Sequence, residues 1–283
     1  QTNDPFAELK KLLGKSEDQR YRYLGGAVGV VNYDAIRLVE NIPDTHDSPQ
    51  PLMEFGIYDD GILYDNLHKK LFYFYHDQNR FEQFKMNGDS FGDFKATEVV
   101  PNMNKEKFSD IVNKAKQYIH DGDIFQVVLS RKFAFDTDGD NLTLYKTLRK
   151  LNPSPYMYHL KQDTKTIIGA SPEMLVRITN DKVETFPIAG TRKITDDEEK
   201  NKQLADELLH DEKELAEHTM LVDLGRNDIG RVCKYGTVHT EELMQIKRFS
   251  HVQHIVTHVV GNLAPENDMF DAFKAVFPAG TVS

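Results

Sequence analysis

The sequence predicts an α+β fold, on three observations. Apolar residues alternate over several short runs, the period of a strand with one buried face. Two longer stretches space them at the helical period instead. The strands cluster and then give way to helices, without the steady βα alternation of a doubly wound parallel sheet.

The elements follow in chain order. Residues 24–33 are glycine-rich and β-branched, as in a strand with close backbone packing. Residues 41–51, rich in Pro, Asp and Ser, form a loop. Residues 61–76 read as a hairpin: Ile62-Leu-Tyr64, a polar turn, then Leu71-Phe-Tyr-Phe-Tyr75. Residues 87–101 hold two glycines and mixed charge and read as a link, so the chain divides into 1–100 and 101–283. Asn104 caps a helix carrying Phe108, Ile111, Val112, Ala115, Tyr118 and Ile119, and Gly122 ends it. Residues 124–135 alternate like a strand, and Asn141 opens a short helix. Four strand-like runs follow, near 156–160, 166–170, 173–179 and 183–188. One long helix is expected over 197–224, a strand over 252–260, and a last helix capped by Asn267 and running through Phe277.

The net charge of −10, from 35 basic and 45 acidic residues, argues against nucleic acid as a general partner. It leaves room for a small anion held locally. The single cysteine, Cys233, allows no internal disulfide and no cysteine-based zinc site, so a reducing, cytoplasmic setting is expected. No apolar run is long enough to cross a membrane, and residues 1–22 are too polar for a signal peptide. The first residue is not methionine and the last are Phe277-Pro-Ala-Gly-Thr-Val-Ser283, so a chain cut short at both ends is expected.

Four features could carry chemistry. In the expected long helix, Leu204, Leu208 and Leu215 form the core stripe, while Glu214, Glu217 and His218 share another face. That face is either a solvated acidic surface or a site for a hard divalent cation. Leu221 and Leu224 continue the Glu217 stripe, which turns it towards the interior, where carboxylates need a partner. Pro187-Ile-Ala-Gly-Thr191 is either a plain turn or a backbone cradle for an anion, with a threonine hydroxyl as an added donor. His254, in a β-branched strand, is either structural or an acid–base group. Glu173 follows Ser171-Pro172 at a strand start, from which a carboxyl either faces water or points into a cleft.

Taken together, eight ordered segments resemble the chorismate-utilising enzyme family. They are Asp123-Ile-Phe-Gln-Val-Val-Leu-Ser-Arg131, Asn152-Pro-Ser-Pro-Tyr-Met157, Ala170-Ser-Pro-Glu173, Pro187-Ile-Ala-Gly-Thr191, Glu214-Leu-Ala-Glu-His218, Asp223-Leu-Gly-Arg-Asn-Asp228, His251-Val-Gln-His254 and Phe277-Pro-Ala-Gly-Thr281. The resemblance runs from about Leu24 to the last residue. It implies curved antiparallel sheets packed together with helices outside, and binding of chorismate and Mg2+. Water-using members resemble one another in a lysine general base where this chain has Gln126, and an amide cannot take a proton from water. Aminodeoxychorismate synthases carry a nucleophilic lysine where this chain has Ala189. The resemblance therefore implies the anthranilate-forming branch, in which ammonia attacks ring carbon 2 and pyruvate is then lost. Aminodeoxychorismate synthase and a non-catalytic tryptophan-binding protein on the same fold remain as alternatives.

By the same resemblance, Glu217 binds Mg2+ directly and Glu214 supports it. Glu173 is the general acid for the departing hydroxyl at carbon 4. Gln126, Ala189, Gly190 and Thr191 line the substrate site, His254 serves the elimination of pyruvate, and Thr281 lies in the last pocket motif. Asn152, Pro153, Ser154, Pro155, Tyr156 and Met157 resemble half of a tryptophan feedback pocket. Residues 1–100 then belong to the regulatory side and 101–283 to the chorismate-binding region. A separate glutamine amidotransferase subunit is the implied ammonia source. The family continues beyond Ser283 with further substrate and magnesium ligands, so this stretch alone is expected to be inactive.

Overall fold

The structure is a computed structural model, and it describes residues 4–13, 21, 23–43, 50–84 and 92–280. The chain forms two compact units, one of residues 1–90 with 162–164 and the other of 91–161 with 165–283. The architecture is α+β with antiparallel pairing, as the sequence predicts.

In the first unit, Asp4 caps helix α1 (Pro5–Leu12) by accepting the Ala7 N–H. Strands β1 (Gly26–Val31) and β2 (Met53–Tyr58) pair antiparallel. The expected hairpin is present as β3 (Asp60–Asp65) and β4 (Lys70–Tyr75), with Ile62 opposite Tyr73. Tyr73, Phe81 and Phe84 pack ring to ring beside it.

The second unit begins with short strands β5 (Phe94–Ala96) and β6 (Val100–Pro101). Asn104 caps helix α2 (Lys105–His120) as expected. Strands β7 (Phe133–Ala134) and β8 (Thr137–Gly139) follow, pairing β6 and β5. Residues 124–132 form no strand, which corrects the expectation for 124–135. Alternation says that one face seeks burial, but a strand also needs a hydrogen-bonding neighbour, and none exists among the described residues. Phe125 is 93% exposed there. Helix α3 (Asn141–Leu151) takes its cap from Asp140, one residue earlier than expected. Strands β9 (Tyr156–Gln162) and β10 (Lys165–Ser171) pair with each other.

The principal sheet holds β11 (Arg177–Thr179), β12 (Lys182–Thr185), β13 (Ile188–Lys193), β14 (His239–Arg248) and β15 (Val252–Asn262). β15 is its spine. One edge pairs with β14, and the other pairs with β13 near its start and β12 near its end. The expected strand over 183–188 is split because Pro187 has no N–H to donate to a ladder. The expected strand over 173–179 survives only as β11. Upstream, the Thr185 hydroxyl donates to the Leu175 carbonyl instead of a ladder bond.

Helices α4 (Glu198–His210) and α5 (Glu212–Gly230) replace the single helix expected over 197–224. Asp211 breaks it. Its backbone is extended, and its side chain accepts the Lys213 and Glu214 N–H groups that a new helix leaves unpaired. Leu208 and Leu215 therefore belong to different helices. Helix α6 (Met269–Val276) is capped by Asp268 in a reciprocal box with Asp271, and Asn267 donates instead to the Val232 carbonyl.

Alternate residues of β15 face the helices. Gln253 donates to the Asn201 carbonyl of α4, Thr257 meets His218 of α5, and Val259 packs with Val222, Ile229, Ala272 and Val276 in the core. Cys233 joins that core, and desolvation pushes its thiol up to about 11, which suits a packing role. No helix among the described residues is long and apolar enough to cross a membrane.

Candidate active site

β13 carries a bulge between Ala189 and Arg192, where its register against β15 shifts. Gly190 and Thr191 together oppose the single residue His254, and Gly190 has φ of +69°, a conformation that a Cβ disfavours. The bulge turns the Gly190 carbonyl onto His254 of β15, whose Nδ1 lies 2.8 Å away. A carbonyl only accepts, so Nδ1 carries the proton and a neutral ring keeps Nε2 as its basic nitrogen. Thr191 Oγ1 stands 3.1 Å from the same Nδ1.

Helices α4 and α5 both approach the other side of Gly190. A Cβ built there would sit 2.8 Å from Leu208 Cδ1 and 3.2 Å from Glu214 Oε2. Glycine is thus required by space as well as by φ, and the gap is filled by a carboxylate. The Glu214 side chain is only 20% exposed. Glu217 follows one turn later on the same helix face, half-buried, with no hydrogen bond or ion pair among the described residues. Next to it, His218 is fully buried, its Nε2 2.7 Å from Thr257 Oγ1, and desolvation lowers its pKa to about 4. That contact ties the carboxylate-bearing turn to β15.

Further along α5, Leu221, Leu224, Gly225 and Asp228 line a cleft of about 210 Å³. Glu173 faces them across it, with Thr185, Pro187 and Gly280. Much of Glu173 is open to solvent at the cleft, yet the protein packed around its carboxyl raises its pKa by desolvation. Asp228 is raised by the same cause, opposed by Arg231. At pH values where ordinary carboxyls are ionised, these two keep more of their protons.

The whole chain, residues 1–283, matches the family of chorismate binding enzymes. The chain belongs to the chorismate-binding enzyme family. Among its relatives is anthranilate synthase component 1 of Methanothermobacter marburgensis, 46% identical over 285 residues, covering 100% of this chain and 61% of the relative. The protein of the same name from Aquifex aeolicus is 44% identical, with 100% of this chain and 63% of the relative covered. The crystal structure of anthranilate synthase component I from Streptococcus pneumoniae TIGR4 matches with a TM-score of 0.84 at 36% identity, covering 99% of this chain and 67% of that one. The chain thus spans about three fifths of the length of the curated relatives it matches.

In this member of the family, Gly190, Thr191, His254 and Glu214 come together around one bulge, with Glu217 one turn further along α5. Glu173 lies in the cleft that continues along the same helix. Ala189 is buried in β13 opposite Ile255. Gln126 is exposed on the irregular segment and bonds to none of these groups. Residues 152–157 form the turn from α3 into β9, and they dock on the β14–β15 turn. His251 Nε2 lies 2.6 Å from the Leu151 carbonyl, and Ser250 Oγ donates to the Pro153 carbonyl at 3.3 Å. Thr281 lies outside the described residues.

The donors fit the magnesium that the family implies. Among the described residues no group of three or more His, Cys, Asp or Glu could hold a metal. Two carboxylates on one helical turn are hard oxygen donors, and Mg2+ takes one or two of these and keeps water or substrate oxygens for the rest. An unpaired, half-buried Glu217 is what such an ion would neutralise.

Sequence reasoning missed two features of the site. Asp228 stood inside a recognised motif without a role. The Asp211 cap was readable, since Asp211 and Glu214 have the spacing of a capping box. Leucines at helical spacing on both sides masked it.

Proposed function

We propose that the protein is the large subunit of an anthranilate synthase, converting chorismate and ammonia to anthranilate and pyruvate. The observation that carries this reading is the meeting of His254 and Glu214 on opposite sides of Gly190, one turn from Glu217. The names of the relatives, anthranilate synthase component 1, support it.

Glu217 would hold Mg2+ directly and Glu214 would support it. When bound, the ion supplies positive charge that neutralises and orients the ring carboxylate of chorismate. The Gly190–Thr191 bulge offers backbone and hydroxyl contacts beside it. Glu173, whose pKa desolvation raises, would donate a proton to the hydroxyl leaving carbon 4, so that water departs rather than hydroxide. Where the family's water-using members resemble one another in a lysine general base this chain has Gln126, which cannot take a proton from water, and this favours ammonia as the nucleophile at carbon 2. His254, with Nδ1–H fixed on Gly190, presents Nε2 to take the carbon 2 proton as pyruvate leaves and the ring becomes aromatic. The resemblance assigns Thr281 to the last motif of the pocket.

The same reading gives residues 101–283 the chorismate-binding role and 1–100 the regulatory side. Tryptophan would bind as feedback inhibitor against Asn152, Pro153, Ser154, Pro155, Tyr156 and Met157. A separate glutamine amidotransferase subunit supplies the ammonia, in the cytoplasm.

The test is product analysis. Native protein given chorismate, an ammonium salt and Mg2+ should form fluorescent anthranilate with equimolar pyruvate, and chelation should stop it. Isochorismate, or an aminated product that keeps its enolpyruvyl group, would overturn the reading.

A further inference from the structure

Arg192 is the last residue of the bulge, and its guanidinium reaches three groups. Nη1 donates to the Thr191 carbonyl at 3.0 Å, Nη2 donates to Asp211 Oδ2 at 2.9 Å, and Nη1 lies 3.7 Å from Glu214 Oε1. Asp211 uses its other oxygen, Oδ1, to accept the Lys213 and Glu214 N–H groups at 3.1 and 3.2 Å. A continuous chain of bonds therefore runs from the bulge backbone, through Arg192 and Asp211, to the turn that begins α5. Both side chains are largely shielded, at 24% and 33% exposure, unlike the solvated pairs elsewhere on the helices. The Asp211 carboxyl is held below its usual range, first by the Glu214 N–H and then by Arg192.

We infer that Arg192 is a positioning residue: it holds the turn bearing Glu214 and Glu217 at a fixed distance from the Gly190–Thr191 bulge. The inference rests on the proposed cation and chorismate site. A planar fork suits this task because it meets a carbonyl and a carboxylate in different directions at once, which a lysine ammonium on a flexible stem does not reproduce. The opposite role is also physically clear. A cation beside Glu214 could simply compete with a divalent ion, and its removal would then tighten metal binding. The two roles predict effects of opposite sign.

The experiment is Mg2+ titration by calorimetry on the native protein, with chorismate kinetics alongside. Arg192→Met and Arg192→Lys should both weaken Mg2+ binding by roughly 10–100-fold, the usual loss when the partner that orients a metal ligand is removed. The KM for chorismate should rise at low Mg2+ and recover as Mg2+ is raised. Asp211→Asn keeps a capping oxygen but loses the charge that holds Arg192, and should weaken binding in the same direction. With Arg192→Lys, it carries the test should Arg192→Met fail to fold. Arg177→Met removes another shielded ion pair of the same sheet, Arg177 to Glu184 at 2.7 Å, and should lower stability while leaving Mg2+ affinity unchanged. Unchanged or tighter Mg2+ binding in the Arg192 variants overturns the inference while leaving the proposed function standing. Failure of the wild type to bind Mg2+ overturns both.

Discussion

Gly190→Ala is the sharpest perturbation of the site. At φ of +69° an L side chain costs roughly 1–2 kcal/mol. The added Cβ would stand 2.8 Å from Leu208 Cδ1, and Leu208 is fully buried, so its side chain must shift within the packed interior. Overpacking of that kind costs about 1–3 kcal/mol more. Together these give a loss of about 2–5 kcal/mol, or roughly 4–20 °C in Tm at the usual 2–4 °C per kcal/mol for a unit of this size. The same Cβ would lie 3.2 Å from Glu214 Oε2, tighter than ordinary contact, so the carboxylate must also move. Thermal unfolding and Mg2+ calorimetry on the same samples read the two effects separately. The expected result is a lower Tm together with Mg2+ binding weakened at least tenfold, even at temperatures where the variant is fully folded. A destabilised variant with normal Mg2+ affinity would remove Glu214 from the metal site. Unchanged stability would refute the geometry of the bulge.

Three other outcomes are expected. Thr257→Val removes the hydroxyl that accepts the Met244 N–H at 3.0 Å and meets His218 Nε2 at 2.7 Å. Stranding a buried polar group costs about 1–3 kcal/mol, and the Met244 N–H is only part-buried, so denaturant unfolding should show a loss of about 2–4 kcal/mol, and a loss near zero would contradict the brace. Glu184 is pulled to about 2, chiefly by Arg177, and its side chain is 8% exposed. Its folded pKa lies below the unfolded value of 4.5, so its stabilisation is present above pH 4.5 and is lost as pH falls towards 2. Glu184→Gln should therefore be less stable than wild type by up to about 3 kcal/mol near neutral pH, and the gap should close through that window. A gap independent of pH would refute the assignment. Glu173→Gln should lower kcat by roughly 10²–10⁴-fold, and it should abolish the fall in rate that wild type shows as pH rises through the Glu173 pKa. Retention of that limb would assign the general acid elsewhere.

The fold was legible where local pattern and tertiary partner agree. Helix α2 carried its own cap and stop, and the β3–β4 hairpin carried its own turn, so both were readable. Residues 124–132 show the converse, because alternation cannot say whether a neighbouring strand exists. Strand β14 went unread because it has no clean period. Two register shifts and a left-handed Met244, at φ of +50°, interrupt it. The site was legible as a set of motifs, and Gly190, Glu214 and His254 do converge. Their geometry was not legible. Nothing local announces that a bulge puts a carbonyl on His254 and a gap on Glu214, or that Arg192 reaches Asp211 across 19 positions.

The most direct measurement is anomalous diffraction from crystals of the native protein soaked with Mn2+ as a stand-in for Mg2+. A peak between the Glu214 and Glu217 carboxylates, facing the Gly190–Thr191 bulge, is the predicted result. A peak elsewhere, with both carboxylates turned to bulk water, would contradict the account.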